Sequence, residues 1–249
     1  MKVALFLDLD DTVFQTRPKC PPGEPVRPAA FGRDRQPLGF RTDRQSALLD
    51  LMFGGATVIP TTARNFDAYR RVDLPFSSVA IINFGGVVLL PDGAPDPEWD
   101  ARVRPRALAL AAELLAIHRE AERVIAAGGL GVVCRVISDF DMPLYVVAKH
   151  PAGDAAALDA VQAAVFGRAD PDAYFVHRNG NNLSLVPRFL GKERAVAYVI
   201  ERHLGPGPVL TIGAGDSLTD APFLALCDFS LMPRGCQLAR RWSPAPRGG

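Results

Sequence analysis

Three acidic residues and a threonine directly follow a short apolar run near the start of the chain. Val3 to Leu7 is apolar, and Asp8-Leu9-Asp10-Asp11-Thr12 comes next. Ligands of open α/β sheets bind beyond the carboxyl ends of the strands, so acids at this place are positioned to meet one. Carboxylates this close repel one another unless a cation lies among them, and hard cations such as Mg²⁺ prefer carboxylate oxygens. One carboxylate could also act as nucleophile and its neighbour as acid and base, with a helix cap or a turn as the alternative.

A second acid-rich segment follows another apolar run late in the chain. Gly213 to Asp220 contains Asp216 and Asp220, and its glycines would let the backbone approach a ligand closely. A loop in which Asp or Ser caps a helix is the alternative. Two acid clusters at strand ends of one domain favour a shared metal ion more strongly than either cluster does alone.

Two further segments carry groups that suit phosphate. Thr61-Thr62-Ala63-Arg64 follows the apolar run Ala56 to Pro60, and a hydroxyl beside backbone N–H groups at a strand-to-helix turn fits phosphate oxygens. A simple threonine helix cap is the alternative. Lys192 begins a predicted helix, where its charge opposes the helix dipole, so a nearby acid or anion would explain it. An ordinary solvated lysine is the alternative.

The order of the predicted elements suggests how these segments could come together. Strand, helix, strand, helix and strand alternate in the first 82 residues, and the same pattern returns after Lys192. This order predicts a parallel sheet covered by helices. The predicted strands are Val3 to Leu7, Ala56 to Pro60, Val79 to Ile82, Val209 to Gly213 and Phe229 to Leu231, and the predicted helices are Thr42 to Phe53 with a capping box, a short one from Asn65, and Lys192 to Leu204.

The middle of the chain has a different pattern, one helix followed by strand, strand, helix, strand and strand. The Pro- and Asp-rich stretch Pro91 to Pro97 predicts the linker before it. We therefore expect an α+β domain, 94–186, inserted into an α/β domain formed by 1–93 and 187–249. Its predicted helices are Pro105 to Ala127 and Asp154 to Phe166, and its predicted strands are Val132 to Ile137, Leu144 to Ala148, Ala173 to His177 and Leu183 to Val186.

Two segments predict irregular structure. Residues 15–41 are rich in Pro, Arg and Gly, which predicts a long irregular excursion, either functional or mobile. The tail from Arg240 is rich in the same residues and is expected to fray.

Composition limits the kind of partner. The chain has 28 basic and 27 acidic residues and a net charge of +1, so no overall field would attract nucleic acid or an anionic membrane. The apolar-rich run Ala107 to Ile117 contains Glu113 and is too short to span a bilayer. Four cysteines in 249 residues form no zinc-binding pattern and suggest no disulfide scaffold. We expect a cytoplasmic protein, with the oligomeric state open.

Together the four chemistry-bearing segments resemble the motifs of the haloacid dehalogenase (HAD) superfamily of phosphotransferases, in the same order and over most of the chain. The resemblance implies a Rossmann-like parallel-sheet core. The matching segments are Asp8-Leu9-Asp10-Asp11-Thr12 for DxDxT, Thr62-Ala63-Arg64 for a TGR-like second motif, Lys192 for the third-motif lysine, and Gly215-Asp216-Ser217-Leu218-Thr219-Asp220 for GDSxxD.

The insertion lies where the family places an α+β cap of the C2 type, as in the Cof-like and the trehalose- or sucrose-phosphate phosphatase branches. Leu185-Val186-Pro187-Arg188 before Lys192 resembles those branches' approach to the third motif. Ile81 to Gly86 resembles their SNGA-like hairpin, with Phe84 in place of the usual Asn.

The resemblance implies phosphoryl transfer through an aspartyl phosphate. Asp8 would attack phosphorus, and Asp10 would protonate the leaving oxygen and later deprotonate the attacking water. Thr62 and Lys192 would bind the transferring phosphoryl oxygens. The implied cofactor is Mg²⁺, held by Asp8, Asp10 through its backbone carbonyl, Asp216 and, directly or through water, Asp220.

The implied activity is that of a Mg²⁺-dependent phosphatase of a small phosphorylated metabolite, a sugar phosphate first among them. A phosphomutase of the same family and a catalytically silent ligand-binding member remain alternatives. Substrate contacts are expected at Arg64, Asn83, Arg178 and Asn181, of which the last two could instead be ordinary surface residues of the cap.

Overall fold

The computed structural model describes residues 1–242 of the chain. The chain forms two compact units. The first contains Met1–Trp99 together with the residues from Gly191 onward, and the second is Asp100–Leu190. The predicted fraying of the tail falls mostly on residues 243–249, which lie outside the described residues, whereas residues 240–242 end a helix.

The elements follow the alternation that the sequence predicts, with additions. In chain order, the strands are β1 (Lys2–Leu7), β2 (Val26–Phe31), β3 (Pro37–Thr42), β4 (Thr57–Pro60), β5 (Ala80–Ile82), β6 (Val87–Leu89), β7 (Val133–Asp139), β8 (Met142–Lys149), β9 (Tyr174–Asn179), β10 (Asn182–Pro187), β11 (Val209–Ala214) and β12 (Phe229–Leu231). The helices are α1 (Asp43–Gly55), α2 (Phe66–Tyr69), α3 (Pro97–Ala109), α4 (Ala111–Gly128), α5 (Ala155–Ala164), α6 (Lys192–His203), α7 (Ala221–Leu224) and α8 (Gln237–Trp242).

A parallel sheet of order β12-β11-β1-β4 forms the centre of the first unit. The last four residues of β1 are fully buried apolar residues, as expected for a strand covered on both faces. Leu7 is in register with Ala214 on one side and with Pro60 on the other. The residues that follow these three strands therefore meet at one edge of the sheet.

The strand after α2 differs from the prediction of a further parallel strand. β5 pairs antiparallel with β6 in a hairpin of their own, and a single parallel bridge between Thr61 and Ile81 joins it to the end of β4. A run of three buried apolar residues fits a buried strand of either orientation, so the sequence does not decide between them.

Helix α1 begins at the capping box that the sequence predicts. Thr42 Oγ1 accepts a hydrogen bond from the Gln45 backbone N–H at 3.3 Å, and Gln45 Oε1 accepts one from the Thr42 N–H at 2.9 Å. Leu49 and Met52 bury the inner face of the helix beside Leu5.

Residues 15–41 are not the irregular excursion that their composition predicts. A single 3₁₀ turn, Arg17–Lys19, leads into the β2–β3 hairpin. In a two-stranded hairpin every strand is an edge, so proline does not remove an N–H that an inner strand needs. Ala29 and Ala30 are buried in the core, which explains why the hairpin is ordered.

The predicted helix Pro105 to Ala127 is two helices. The first begins at Pro97, where the missing N–H of proline costs nothing, and Asp96 Oδ1 accepts a hydrogen bond from the Trp99 N–H at 2.9 Å. Pro105 therefore lies inside α3. The Pro91 to Pro97 segment, predicted as a linker, contains the signals that start this helix.

The second unit is an antiparallel sheet of order β7-β8-β10-β9 with helices packed on it. Its core contains Leu114 from α4, Leu158 and Val161 from α5, and Val146 and Leu185 from the strands. Among residues 1–242, no helix combines the length and apolar character that a bilayer span requires.

Candidate active site

Two strand ends and one helix start bring a lysine among carboxylates in the first unit. The Asp8 N–H donates to the Ala214 carbonyl at 2.8 Å, which places Asp8 beside the segment that follows β11. Lys192, the first residue of α6, contacts one carboxylate in each of these two segments. Its Nζ lies 2.7 Å from Asp8 Oδ1 and 2.6 Å from Asp220 Oδ1.

The lysine and both of its acid partners are buried. The side chain of Lys192 is 4% exposed, that of Asp8 is 7% exposed and that of Asp220 is inaccessible. These carboxylates provide the acid partners that a lysine at a helix N-terminus requires. Lys192 is therefore an internal charge and not the solvated surface lysine of the alternative interpretation.

Each acid is also held by neutral donors. Thr12 Oγ1 donates to Asp8 Oδ2 at 2.8 Å. Asp220 Oδ2 accepts from the Ser217 N–H at 2.9 Å, from Ser217 Oγ at 2.7 Å and from the Asp216 N–H at 3.1 Å. A Cβ on Gly215 would lie 2.6 Å from that of Asp220, so only glycine lets this loop close around the carboxylate.

Burial and mutual repulsion control the ionisation of the acids. Burial raises the pKa of Asp8 well above its usual range; Lys192 lowers it, and Asp220 and Asp216 raise it further. Burial, together with the charges of Asp220 and Asp11, raises the pKa of Asp216 to about 7. Burial alone would raise the pKa of Asp220, but Lys192 and Ser217 lower it below its usual value. Burial alone would lower the pKa of Lys192, but Asp220 and Asp8 raise it.

Three of these carboxylates form a group that fits a divalent cation. One oxygen from each of Asp8, Asp216 and Asp220 lies within 4.8 Å of the others. Three buried acids share one lysine, so the fully ionised group would carry excess negative charge that a divalent cation can offset, and its ligand atoms are the hard oxygens that Mg²⁺ prefers. The donor set therefore fits the predicted cofactor.

Asp10 lies outside this carboxylate group. Arg64 donates from Nε to Asp10 Oδ2 and from Nη2 to Oδ1, each at 2.7 Å. The carboxylate of Asp10 is thus engaged by a guanidinium. The backbone carbonyl of Asp10 is the group left to bind the metal ion, as predicted for this residue. No local sequence pattern indicates this pair, because 54 positions separate its members.

Thr62 is buried and takes part in the turn after β4. Its Oγ1 accepts a hydrogen bond from the Arg64 N–H at 3.1 Å, which is a local turn bond and not the helix cap of the alternative interpretation. The cap of α2 is Asn65, whose side chain accepts from the Ala68 N–H. The Thr61 N–H donates to the Leu7 carbonyl at 2.8 Å and thereby fixes the turn beside the end of β1. Binding of phosphate by Thr62 stays a prediction.

Asn83 lies in a strained turn that links two of the motif segments. Asn83, Phe84 and Gly85 have φ of +54°, +55° and +88°, and the Asn83 N–H donates to the Arg64 carbonyl at 2.8 Å. A Cβ on Gly85 would lie 2.3 Å from the Gly191 carbonyl oxygen, so this turn packs directly on the start of α6. Asn83 is fully buried here, and its role in substrate binding stays a prediction.

The two predicted cap contacts lie in the second unit. Arg178 Nη1 donates to Asp159 Oδ1 at 3.0 Å. Asn181 lies in the turn between β9 and β10, and its backbone carbonyl accepts from the His150 N–H at 3.2 Å. Their roles toward substrate stay predictions.

Sequence reasoning missed a second ion pair beside the acids. Asp11 has a φ of +64°, and its Oδ2 lies 2.5 Å from the ammonium of Lys19 in the 3₁₀ turn. The signal that could have indicated it is the doubled acid at positions 10 and 11, because a nearby cation relieves the repulsion between adjacent carboxylates.

The sequence matches no known protein-family profile and no curated protein. Solved structures resemble the fold. The C-terminal domain of trehalose-6-phosphate phosphatase from C. albicans superposes with a TM-score of 0.58 at 12% identity, over 89% of this chain and 72% of that one. The sucrose-phosphatase of Synechocystis sp. PCC6803, in complex with sucrose and phosphate, gives 0.53 at 17% identity, over 97% and 87%. A trehalose-6-phosphate phosphatase related protein gives 0.51 at 15% identity, over 92% and 85%.

Two of these structural neighbours are phosphatases, and the third is a protein related to one. The chain therefore shares the fold of these neighbours, a parallel-sheet α/β core with a separate α+β unit inserted into it. The fold class and the structural resemblance predicted from the motifs are confirmed.

Proposed function

We propose that this protein is a Mg²⁺-dependent phosphatase that hydrolyses a small phosphorylated metabolite through an aspartyl phosphate. The observation that carries the proposal is the buried group of Asp8, Asp216 and Asp220 around Lys192, at the strand ends of a phosphatase fold. A fold alone does not determine function, but this group brings together a nucleophile, a fixed positive charge and metal ligands.

Asp8 is the proposed nucleophile. Its two oxygens are oriented by Lys192 and by Thr12, which hold the carboxylate at the strand end. One oxygen attacks phosphorus, the bond to the leaving oxygen breaks, and the phosphoryl group is then carried by Asp8. Mg²⁺ bound by Asp8, the Asp10 carbonyl, Asp216 and Asp220 would supply the positive charge that lets an anionic nucleophile approach an anionic phosphate.

Asp10 is the proposed acid and base. It gives a proton to the leaving oxygen in the first step and takes one from water in the second, when water attacks phosphorus and frees Asp8. Lys192 and Thr62 are the proposed donors to the phosphoryl oxygens, whose charge they would offset during transfer.

The substrate class we propose is a sugar phosphate. Support comes from neighbours with TM-scores above 0.5, which include a trehalose-6-phosphate phosphatase domain and a sucrose-phosphatase solved with sucrose and phosphate. Asn83, Arg178 and Asn181 remain proposed substrate contacts, whereas the guanidinium of Arg64, also predicted as one, is engaged by Asp10. A cytoplasmic location is proposed as well, in keeping with four cysteines that are free thiols. Neither nucleic acid nor membrane is a proposed partner.

The test is phosphate release from a panel of phosphorylated sugars and p-nitrophenyl phosphate, with Mg²⁺ and with EDTA, for wild type, Asp8→Asn and the exposed control Asp50→Asn. We expect release that requires Mg²⁺, persists in the control and disappears in Asp8→Asn. Release that survives EDTA, or that persists in Asp8→Asn, would contradict the proposal, as would no release from any compound. A requirement for a bisphosphate activator would indicate a phosphomutase instead.

A further inference from the structure

Arg64 is held on several sides by the protein itself. Nε and Nη2 donate to the two oxygens of Asp10, and Nη1 donates to the Ala68 carbonyl at 3.1 Å. The guanidinium also lies over the ring of Phe14, 5.1 Å from its centroid, and that ring is fully buried. With 18% of its side chain exposed, Arg64 is a rigid part of the site.

Asp10 is the more exposed member of the pair. Its side chain is 43% exposed, whereas Asp8, two residues earlier, is buried and fixed by Lys192 and Thr12. Among the described residues, the contact that orients both Asp10 oxygens is the guanidinium fork of Arg64. Two parallel N–H···O bonds fix the plane of a carboxylate, which one ammonium contact does not do.

We propose that Arg64 is a positioning residue that holds Asp10 in place for both of its proton transfers. The inference rests on the proposed phosphatase function, and it gives Arg64 a role other than substrate binding. Three of its five N–H groups are engaged by Asp10 and Ala68, and one face of the guanidinium is covered by Phe14.

Both steps depend on the position of Asp10. In the first, its proton moves to the leaving oxygen as the P–O bond breaks and the bond between Asp8 and phosphorus forms. In the second, a water proton moves to Asp10 as the water oxygen bonds to phosphorus and the bond to Asp8 breaks, which releases inorganic phosphate. Proton transfer requires heavy atoms within hydrogen-bond reach, so a carboxylate that turns away loses both steps.

The choice of leaving group separates the two steps. Nitrophenolate leaves without a proton, so p-nitrophenyl phosphate should still phosphorylate Asp8 when Asp10 is displaced, whereas hydrolysis of the aspartyl phosphate should be slow. For Arg64→Lys we expect a burst of about one nitrophenolate per active site and then a slow steady state. With a sugar phosphate, which needs the acid, we expect kcat to fall about tenfold to a hundredfold with little change in KM.

A double-variant cycle shows whether Arg64 acts through Asp10. We compare Asp10→Asn, Arg64→Lys and the double variant, with Arg70→Lys as the control, because Arg70 is an exposed arginine six positions away. If Arg64 positions Asp10, the double variant should be no slower than Asp10→Asn alone. If the rate losses of the two single variants multiply in the double variant, or if Arg64→Lys raises KM at unchanged kcat, the inference is overturned and Arg64 binds substrate.

Chemical rescue guards against a purely structural effect. Thermal unfolding checks that each variant folds, and guanidinium ion added to Arg64→Ala should restore kcat if a missing fork is the cause. Rescue of Arg64→Ala but not of Asp10→Asn supports positioning, and no rescue of a folded Arg64→Ala contradicts it. Turnover that persists in Asp8→Asn would overturn the proposed function together with this inference. If turnover depends on Asp8 but the losses of kcat in Asp10→Asn and Arg64→Lys multiply in the double variant, the inference alone is overturned.

Discussion

The ammonium of Lys192 lies 2.7 Å from a carboxylate oxygen of Asp8, although 184 positions separate the two residues. This contact fixes the start of α6 against the end of β1, and it places a positive charge where the proposed nucleophile must attack a phosphate. Since Lys192 also contacts Asp220, one side chain connects three segments of the site.

Removal of the Lys192 charge should affect both stability and activity. Lys192→Met leaves Asp8 and Asp220 buried without their counter-charge, and loss of one member of a buried ion pair costs about 3–5 kcal/mol. We expect the free energy of unfolding in urea, with EDTA present, to fall by that order and turnover to disappear. The exposed Lys2→Met is the control. A Lys192→Met protein as stable as wild type would show that the pair does not hold the site together.

Asp216 should help bind the metal at a cost to the stability of the metal-free protein. Its pKa is raised to about 7 by burial and by Asp220 and Asp11, so the folded state retains a proton that the unfolded state loses from about pH 4 upward. In EDTA this group therefore lowers stability progressively from about pH 4 to 7 and fully above pH 7.

We therefore expect Asp216→Asn to be more stable than wild type in EDTA at pH 8, to lose that advantage toward pH 4, and to bind Mg²⁺ more weakly. Urea unfolding across this pH range and a Mg²⁺ titration by calorimetry measure both effects. An unchanged Mg²⁺ affinity would contradict the ligand role of Asp216.

Asp96 stabilises the start of α3 against α6. It accepts from the Trp99 N–H at 2.9 Å and from Tyr198 Oη at 2.7 Å, and His203 Nε2 lies 2.9 Å from its second oxygen. Burial alone would raise the pKa of Asp96, but these donors and the histidine lower it below the usual value.

The change Asp96→Ala removes the carboxylate that accepts from the Trp99 N–H and from Tyr198 Oη, which should cost about 1–3 kcal/mol. Because the folded pKa is depressed, the advantage of wild type should be complete above about pH 4 and should shrink as pH falls through the folded pKa. Unfolding in urea at several pH values measures this, with the exposed Asp50→Ala as control. An advantage that does not change with pH would contradict the role of the carboxylate charge.

The turn at Gly85 offers a test of how closely it must approach α6. Gly85→Ala adds a Cβ that would lie 2.3 Å from the Gly191 carbonyl oxygen, which should displace the helix start and with it Lys192. We expect a loss of stability and of kcat. Gly93→Ala is a matched control, because Gly93 has a similar φ of +85° but no atom within 4 Å of the added Cβ. Equal effects in both variants would show that backbone strain, and not the contact with α6, is responsible.

The sequence was sufficient to predict the grouping of the acids because the physical rule behind it is local. Asp8 and Asp216 each follow an apolar parallel strand, and parallel strands end at the same edge. The capping box at Thr42 was predictable for the same reason, since both of its hydrogen bonds join residues three positions apart.

Other features depend on partners that the sequence does not indicate. The pair of Arg64 with Asp10 joins residues 54 positions apart, and nothing in either segment specifies the other. The β2–β3 hairpin was not predicted because its prolines are typical of irregular segments. They are tolerated here because both strands are edges. The orientation of β5 is set by its pairing with β6, which a run of three apolar residues does not reveal.

Trapping the phosphorylated enzyme would test directly whether Asp8 is the nucleophile. The protein is mixed with p-nitrophenyl phosphate and Mg²⁺, treated with borohydride, which reduces an aspartyl phosphate to homoserine, and digested for mass spectrometry. If Asp8 is the nucleophile, homoserine forms at position 8, and aspartate stays unmodified at positions 10, 216 and 220. Homoserine at another position, or turnover with no modification at position 8, would contradict this role of Asp8.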